Sequence, residues 1–290
     1  MGEKHCKQAA YLLKQRTQCG QSGQRSDNWG GIQMKNSFNR LNLGNAVPSV
    51  RQVTPAHILS WLSAGWRDVR ANPVPSIAYG LLFGIGGDLI LLASIGRPHL
   101  FAVAVSGFFL IAPLLAAGLY ELSRRQGSTP RASFIDSVMV FRRNSKSIAL
   151  FGLLLGVLTL IWERTSAMAF AGLGEASGSN IFQLASRTLA DGNDGGIVMT
   201  WLALGAMLAL LSFVISVVSL PLIIDRQVGV TRAVLTSLSA FAGNVVTLLL
   251  WAACIVALTL LGFATLLFGL VIIMPILGHA SWHAYRDLVE

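Results

Sequence analysis

His279 and His283 stand four residues apart, which on a helix places both imidazoles on one face, the spacing a shared metal ion or haem edge would use. Glu121 and Asp225 are the carboxylates that could join them near one rim of the molecule. The alternative reading is a polar helix end at an interface, flanked by Trp282 and Tyr285, where histidine is comfortable without any ligand. A second constellation begins at Asp88, which follows Gly86-Gly87 inside a long apolar run. An ionised carboxylate there is costly unless it meets a partner or water, so it should face inward, toward Arg97 or Arg164. With Glu163 and Arg164 it would form a polar cluster able to pass a small solute or protons.

Other chemistries find no support. Only His99, His279 and His283 lie near apolar runs, too few imidazoles for an oxidase centre of two haems and a copper. Gly84-x-Gly86-Gly87 lies in the middle of an apolar run and not between a strand and a helix, so it is no dinucleotide fingerprint. His5, Cys6 and Cys19 do not follow a closed zinc pattern, and Cys254 reads as a small apolar side chain.

The elements that must position these residues are apolar and long. Between Val245 and Tyr285 the chain has no Asp, Glu, Lys or Arg. At ~1.5 Å per residue that run is about twice as long as a bilayer core is thick, so it must double back. Charged residues make up 12 % of the 290-residue chain and mean hydropathy is +0.62, whereas a soluble domain carries about 25 % charge. The net charge of +9 is not a nucleic-acid signal, because the basic residues cluster beside the apolar runs. Six spans follow, at about 74–95, 100–119, 148–171, 197–224, 245–262 and 264–285, with turns at Gly96-Arg97-Pro98 and near Gly262. Of the 22 Lys and Arg, only Arg97, Arg164 and Arg187 fall on the far side, so the positive-inside rule puts both ends in the cytoplasm.

Residues 1–50 are polar, without apolar period, and read as a disordered tail. Met34 offers a second start, which would make 1–33 upstream read-through. Three amphipathic segments precede apolar hairpins, opening at Thr54-Pro55, Thr129-Pro130 and Thr231. A further short surface helix is expected around Phe182, Ala185 and Leu189.

The three segments align. Asn72, Asn144 and Asn244 each close one; seven residues on stand Tyr79, Phe151 and Trp251, and eight on Gly80, Gly152 and Ala252. Pro113, Pro221 and Pro275 sit near the inner ends of the returning spans, followed eleven residues later by Arg124 in the first unit and Arg286 in the last. Small residues let helices approach in lipid, the neighbouring aromatics fill the gap at the next unit, and the prolines kink or end helices. A unit of this size cannot bury its own packing face, so three units should close into one bundle.

Four stretches carry a family resemblance: Gly65-Trp66-Arg67-Asp68, Gly118-Leu119-Tyr120-Glu121-Leu122-Ser123-Arg124, Pro221-Leu222-Ile223-Ile224-Asp225-Arg226, and the run GLVIIMPILGHASWHAYR over 269–286. Over roughly 50–290 the chain resembles the bacterial integral-membrane family named domain of unknown function 2189. The resemblance implies a multi-span inner-membrane protein without an assigned activity, and the oxidase-like labels of some members imply at most an accessory role.

The sequence thus reads as an all-α polytopic membrane protein: six transmembrane helices in three repeats of amphipathic helix plus hairpin over 51–290. The expected role is a non-enzymatic scaffold or accessory component in a bacterial inner membrane. Its partners would be the bilayer and other membrane-complex subunits, with no cofactor and no nucleic acid. The competing readings are a small-solute or proton transporter using Asp88, Glu163 and Arg164, and a haem or metal protein using His279 and His283.

Overall fold

A computed structural model describes residues 48–93, 112–129, 131–172 and 195–290. The polar tail, the first hairpin turn with Arg97, most of the second span, Pro130, and the 182–189 segment with Arg187 lie outside the described residues. Among those described, all regular structure is helical; the one extended pairing is an isolated bridge between Val50 and Val289.

Helix α1 (His57–Ala71) buries Trp61, Ala64, Gly65, Asp68 and Val69 on one face. It starts two residues after Thr54-Pro55, without a side-chain cap; the His57 ring folds back against Thr54 instead. Helix α2 (Pro73–Ala93) follows at once. After the undescribed stretch come α3 (Ala117–Arg124), the short pair α4 (Phe134–Val138) and α5 (Val140–Arg143), and then α6 (Ser145–Gly172). The cap expected at Thr129 is supplied four residues later. Ser133 Oγ accepts from the Asp136 amide at 3.2 Å and the Asp136 carboxylate accepts from the Ser133 amide at 2.9 Å, a reciprocal box.

The fourth expected span is two helices, α7 (Gly195–Ser216) and α8 (Ser219–Arg226), broken at Val217-Val218 three residues ahead of Pro221. A proline has no N–H to donate and its ring crowds the preceding turn, which accounts for the break. The third amphipathic segment is α9 (Val230–Gly243); the last hairpin is α10 (Val245–Ala264) and α11 (Leu270–Leu288). The turn between them lies at 265–269 and not at Gly262, with Leu266 (φ 51°) and Leu267 (φ 68°) in the left-handed region. Gly262 serves packing: a Cβ there would stand 2.3 Å from Leu270 Cδ2.

Among the described residues, four helical stretches are long and apolar enough to cross a membrane: Pro73–Ile90, Ser145–Ala169, Met199–Arg226 (α7 running on into α8) and Val245–Ala264. α11, the expected sixth span, is not one of them. It carries His279, Ser281, His283 and Asp287 and is sheathed by protein, with Leu277, Gly278, His279, Ala280, Trp282, Ala284 and Tyr285 buried.

α11 is the post of the bundle. Gly65 of α1 lies so close that a Cβ would fall 2.5 Å from Ile276 O, and at Gly80 of α2 it would fall 1.9 Å from Val271 O. Glycine is needed at both places because another helix's backbone occupies the space. Among the described residues the same crowding does not recur at Gly156, where nothing lies within 4 Å, while Gly152 meets only the Leu114 side chain, nearest at 3.2 Å.

The three asparagines share one geometry. Asn72, Asn144 and Asn244 end α1, α5 and α9 at φ/ψ of −137°/69°, −135°/49° and −139°/36°. Each side chain then ties down the chain entering another amphipathic helix. Asn72 Nδ2 donates to Ala132 O (2.8 Å), just before α4, and Asn144 Nδ2 to Val228 O (3.3 Å), just before α9. Asn244 Nδ2 donates to Arg51 O (3.0 Å) and its Oδ1 accepts from Val53 N (2.7 Å), ahead of α1. Tyr79, Phe151 and Trp251 are all buried. Tyr79 packs on Phe134 of α4 and Trp251 edge-on against Trp61 of α1.

The close approach at Gly80 sets a test. Gly80→Ala puts a methyl where Val271 O stands and should destabilise the purified protein by about 2 kcal/mol or more, whereas Gly86→Ala, with nothing within 4 Å among the described residues, should be neutral or slightly stabilising. Melting curves in one detergent compare the two; equal melting points would refute the α2–α11 contact.

Candidate functional site

The residues with chemical potential converge on α11 from three other helices. Asp68 comes from α1, Ser76 from the first turn of α2, and Ser123 from α3. His279 is 1 % exposed, and Ser76, Ser123 and Asp68 are buried with it. Ser123 Oγ lies 2.6 Å from Asp68 Oδ2 and 2.7 Å from His279 Nδ1; Ser76 Oγ lies 3.0 Å from His279 Nε2 and 2.8 Å from Asn72 O. His283 Nε2 completes the group at 2.9 Å from Asp68 Oδ2.

Counting protons orders these bonds. An ionised carboxylate only accepts, so Ser123 Oγ–H and His283 Nε2–H both donate to Asp68. Ser123 has then used its one proton, and His279 Nδ1–H must donate to Ser123 Oγ. Ser76 has one proton and two acceptors in reach, Asn72 O and His279 Nε2. Burial pushes the Asp68 carboxyl upward, but the bonds from His283 and Ser123 outweigh it, and Asp68 is held below the usual carboxylate range.

Ser, His and Asp are therefore in contact, yet in an order that does not make a nucleophile. The serine sits between the other two, donating to the carboxylate and accepting from the imidazole, the reverse of a triad in which the imidazole takes the serine proton. The sequence alone offers no hint of this group, because Asp68 and His283 are 215 positions apart.

Glu121 and Asp225, the carboxylates that could have joined the histidines, are engaged elsewhere. Glu121 is fully buried and accepts from Arg124 (2.7 Å, two bonds), Arg125 (2.6 Å) and Arg143 (3.4 Å). Burial raises its carboxyl, and the Arg124 and Arg125 guanidiniums overcome that and hold it low. Asp225 accepts from Tyr285 Oη at 2.8 Å and faces Arg286 at 3.6 Å. Among the described residues no group of three His, Cys, Asp or Glu converges to hold a metal ion.

Asp88 is half-buried on α2 and makes no ion pair among the described residues; Glu163 and Arg164 pair with each other at 3.3 Å on α6. A cavity of about 620 Å³ lies between α3, α6, α7, α10 and α11, and neither Asp88 nor Glu163 is in its wall.

Residues 100–225 match the family described as "Predicted integral membrane protein (DUF2189)". The match is narrower than the resemblance read over 50–290. It takes in α3 to α8, with Glu121, Ser123 and the arginines around Glu121, and leaves Asp68, Ser76, His279 and His283 outside. No curated protein and no solved structure matches the chain.

The carboxylate at the hub of the polar group sets the pH response. A carboxyl whose folded pKa lies below its unfolded value near 3.8 stabilises the fold above about pH 5, and that contribution is lost as pH falls through and below about 4. Asp68→Ala should cost about 3 kcal/mol at neutral pH and flatten this acid limb. Melting temperatures from pH 3 to 8 measure both; an unchanged acid limb in the variant would show that other groups govern it.

Proposed function

We propose that the chain is a non-enzymatic integral membrane protein, a scaffold or accessory component of a membrane complex in a bacterial inner membrane, with both ends cytoplasmic. The carrying observation is how its polar residues are used. Asp68, Ser76, Ser123 and His279 bond one another across four helices, and Glu121 is enclosed by three guanidiniums, so they fasten helices together. What faces outward is apolar: Leu82, Ile85 and Leu89 on α2, Leu153 and Leu160 on α6, Leu202 and Met207 on α7, Leu260 and Leu261 on α10. Such faces need lipid or partner helices to cover them.

On this reading the architecture is three units of amphipathic helix plus two-span hairpin, six spans in all. Its support is the common backbone geometry of Asn72, Asn144 and Asn244 and the way each holds the approach to another unit's amphipathic helix, the last returning to the first. The Val50–Val289 bridge and the Arg51–Glu290 pair (2.9 Å) draw the two ends of this ring together.

The test is purification of the tagged full chain from its native membrane in mild detergent. A scaffold should elute with a stoichiometric integral-membrane partner, and deleting the gene should lower that partner's assembly into its own complex. A chain that elutes alone, and whose Asp88→Asn variant changes proton or solute flux in vesicles at unchanged expression, would instead be a transporter. An absorbance band or bound metal lost in His283→Ala would point to the haem or metal reading.

A further inference from the structure

The corner at Asn144 joins two exposed apolar rows, and each row meets a cation there. On one side, Ile135, Val138 and Met139 are 69 %, 42 % and 44 % exposed. Arg142 follows them at helical spacing, so the four residues share one face. Met139 keeps helical angles (φ −62°, ψ −14°), and that face therefore runs unbroken from α4 into α5. On the other side, α6 exposes Leu150, Leu153, Val157 and Leu160 along one flank. Lys146 stands one turn ahead of Leu150 on that same flank. The row belongs to the membrane-crossing stretch Ser145–Ala169, so Lys146 sits where lipid-facing side chains give way to headgroups.

The charge turned outward at this corner is positive. Arg142 and Lys146 are exposed, and neither has a carboxylate partner among the described residues. Arg125 and Arg143 each give Glu121 one hydrogen bond, while 34 % and 37 % of their side chains stay exposed. The carboxylates of the region are already spent: Glu121 is fully buried under its arginines, and Asp136 accepts from Ser133 in the α4 cap. Helix α1 repeats the outward combination of apolar body and cationic edge. Its Leu59 and Trp66 are exposed, and the Arg70 guanidinium lies 5.7 Å from the Trp66 ring.

We propose that the Asn144 corner binds the headgroup phosphate of an anionic phospholipid, with Arg142 and Lys146 as its cations and the α4 row set among the acyl chains. Guanidinium and ammonium groups suit phosphate oxygens, and an amphipathic helix with basic residues beside its apolar face rests at the headgroup boundary. A soluble anion would have no use for Ile135, Val138 and Met139. An acidic protein segment would not account for a lysine heading a row that faces lipid. The proposal stands apart from the scaffold reading, because it concerns one corner at headgroup level and not the helices that partners would cover.

Native mass spectrometry of the purified full chain in neutral detergent tests it, with dioleoyl-phosphatidylglycerol and dioleoyl-phosphatidylcholine as probes of equal chains and different charge. The glycerol lipid should bind the more tightly by at least about twenty-five-fold, about fivefold for each of the two unpaired cations. Arg142→Gln with Lys146→Gln should remove that much of the preference, and melting without lipid should not change, since both side chains are exposed. Met139→Ser should weaken both lipids alike and leave their ratio intact. Raising salt should narrow the preference, because exposed charges are screened. Equal affinity for the two lipids in wild type, or an undiminished preference in the double variant, would overturn the proposal. So would displacement of the glycerol lipid by millimolar inorganic phosphate, which would mark a site for soluble anions. A double variant that loses a co-purifying protein but keeps its lipid preference would make the corner a protein interface instead.

Discussion

Helices in lipid gain nothing from hiding apolar surface from one another, because the acyl chains are as apolar as leucine. What remains is close backbone contact and hydrogen bonding between helices, and the cluster around His279 supplies both at one place. A single Asp68 oxygen receives protons from α3 and α11, and His279 joins Ser123 of α3 to Ser76 of α2. Four elements are thereby fixed in register by side chains that would be uncompensated if any one helix withdrew. A buried polar group satisfied only by its neighbours is specific in a way that leucines are not. The glycines make this possible: with a side chain at Gly65 or Gly80, α1 and α2 could not come close enough for Asp68 and Ser76 to reach α11.

Legibility in the sequence follows the range of the interaction. Asn72, Asn144 and Asn244 are readable because the corner they make is local: each ends one helix one residue before the next begins, and the same local geometry draws the same residue type. The apolar runs are readable for the same reason. The turn at 265–269 is not, because the chain doubles back through Leu266 and Leu267 at positive φ, residues that give no turn signal, while Gly262 gives one and is used for packing. The caps at Thr54 and Thr129 mislead similarly, since Ser133 with Asp136 forms a more complete box than a Thr-Pro pair. The polar cluster is out of reach of pattern reading altogether. His279 and His283 look like a ligand pair by spacing, but what each one meets is set by helices more than 150 positions away.

Charge is distributed by the same logic. Asp68 and Glu121 are both buried acids held ionised by donors from neighbouring elements, one by histidine and serine, the other by guanidiniums. A lone carboxylate in either place would neutralise itself by taking a proton. Around Glu121 the surplus is positive, with three arginines to one carboxylate. That rim is where the basic residues of the sequence concentrate, so the ion cluster that secures α3 also contributes to the charge asymmetry from which orientation is read.

The same small-residue spacing meets different surroundings on α2 and on α6. Gly80 and Gly84 of α2 both meet Val271 of α11, the first against bare backbone. Gly152 and Gly156 of α6 carry the same spacing, yet among the described residues one touches a leucine side chain and the other nothing within 4 Å. The cavity is bounded by large aromatic rings, Trp162 stacked on Trp201 at 5.2 Å, and Trp251. Indoles fill space well but bring an N–H that apolar packing cannot satisfy, and Trp201 solves this by donating to Ser166 at 2.9 Å. Trp162 and Trp251 have no such neighbour among the described residues. Glycine thus closes the seam between α2 and α11, while indoles bound the chamber that α11 also lines.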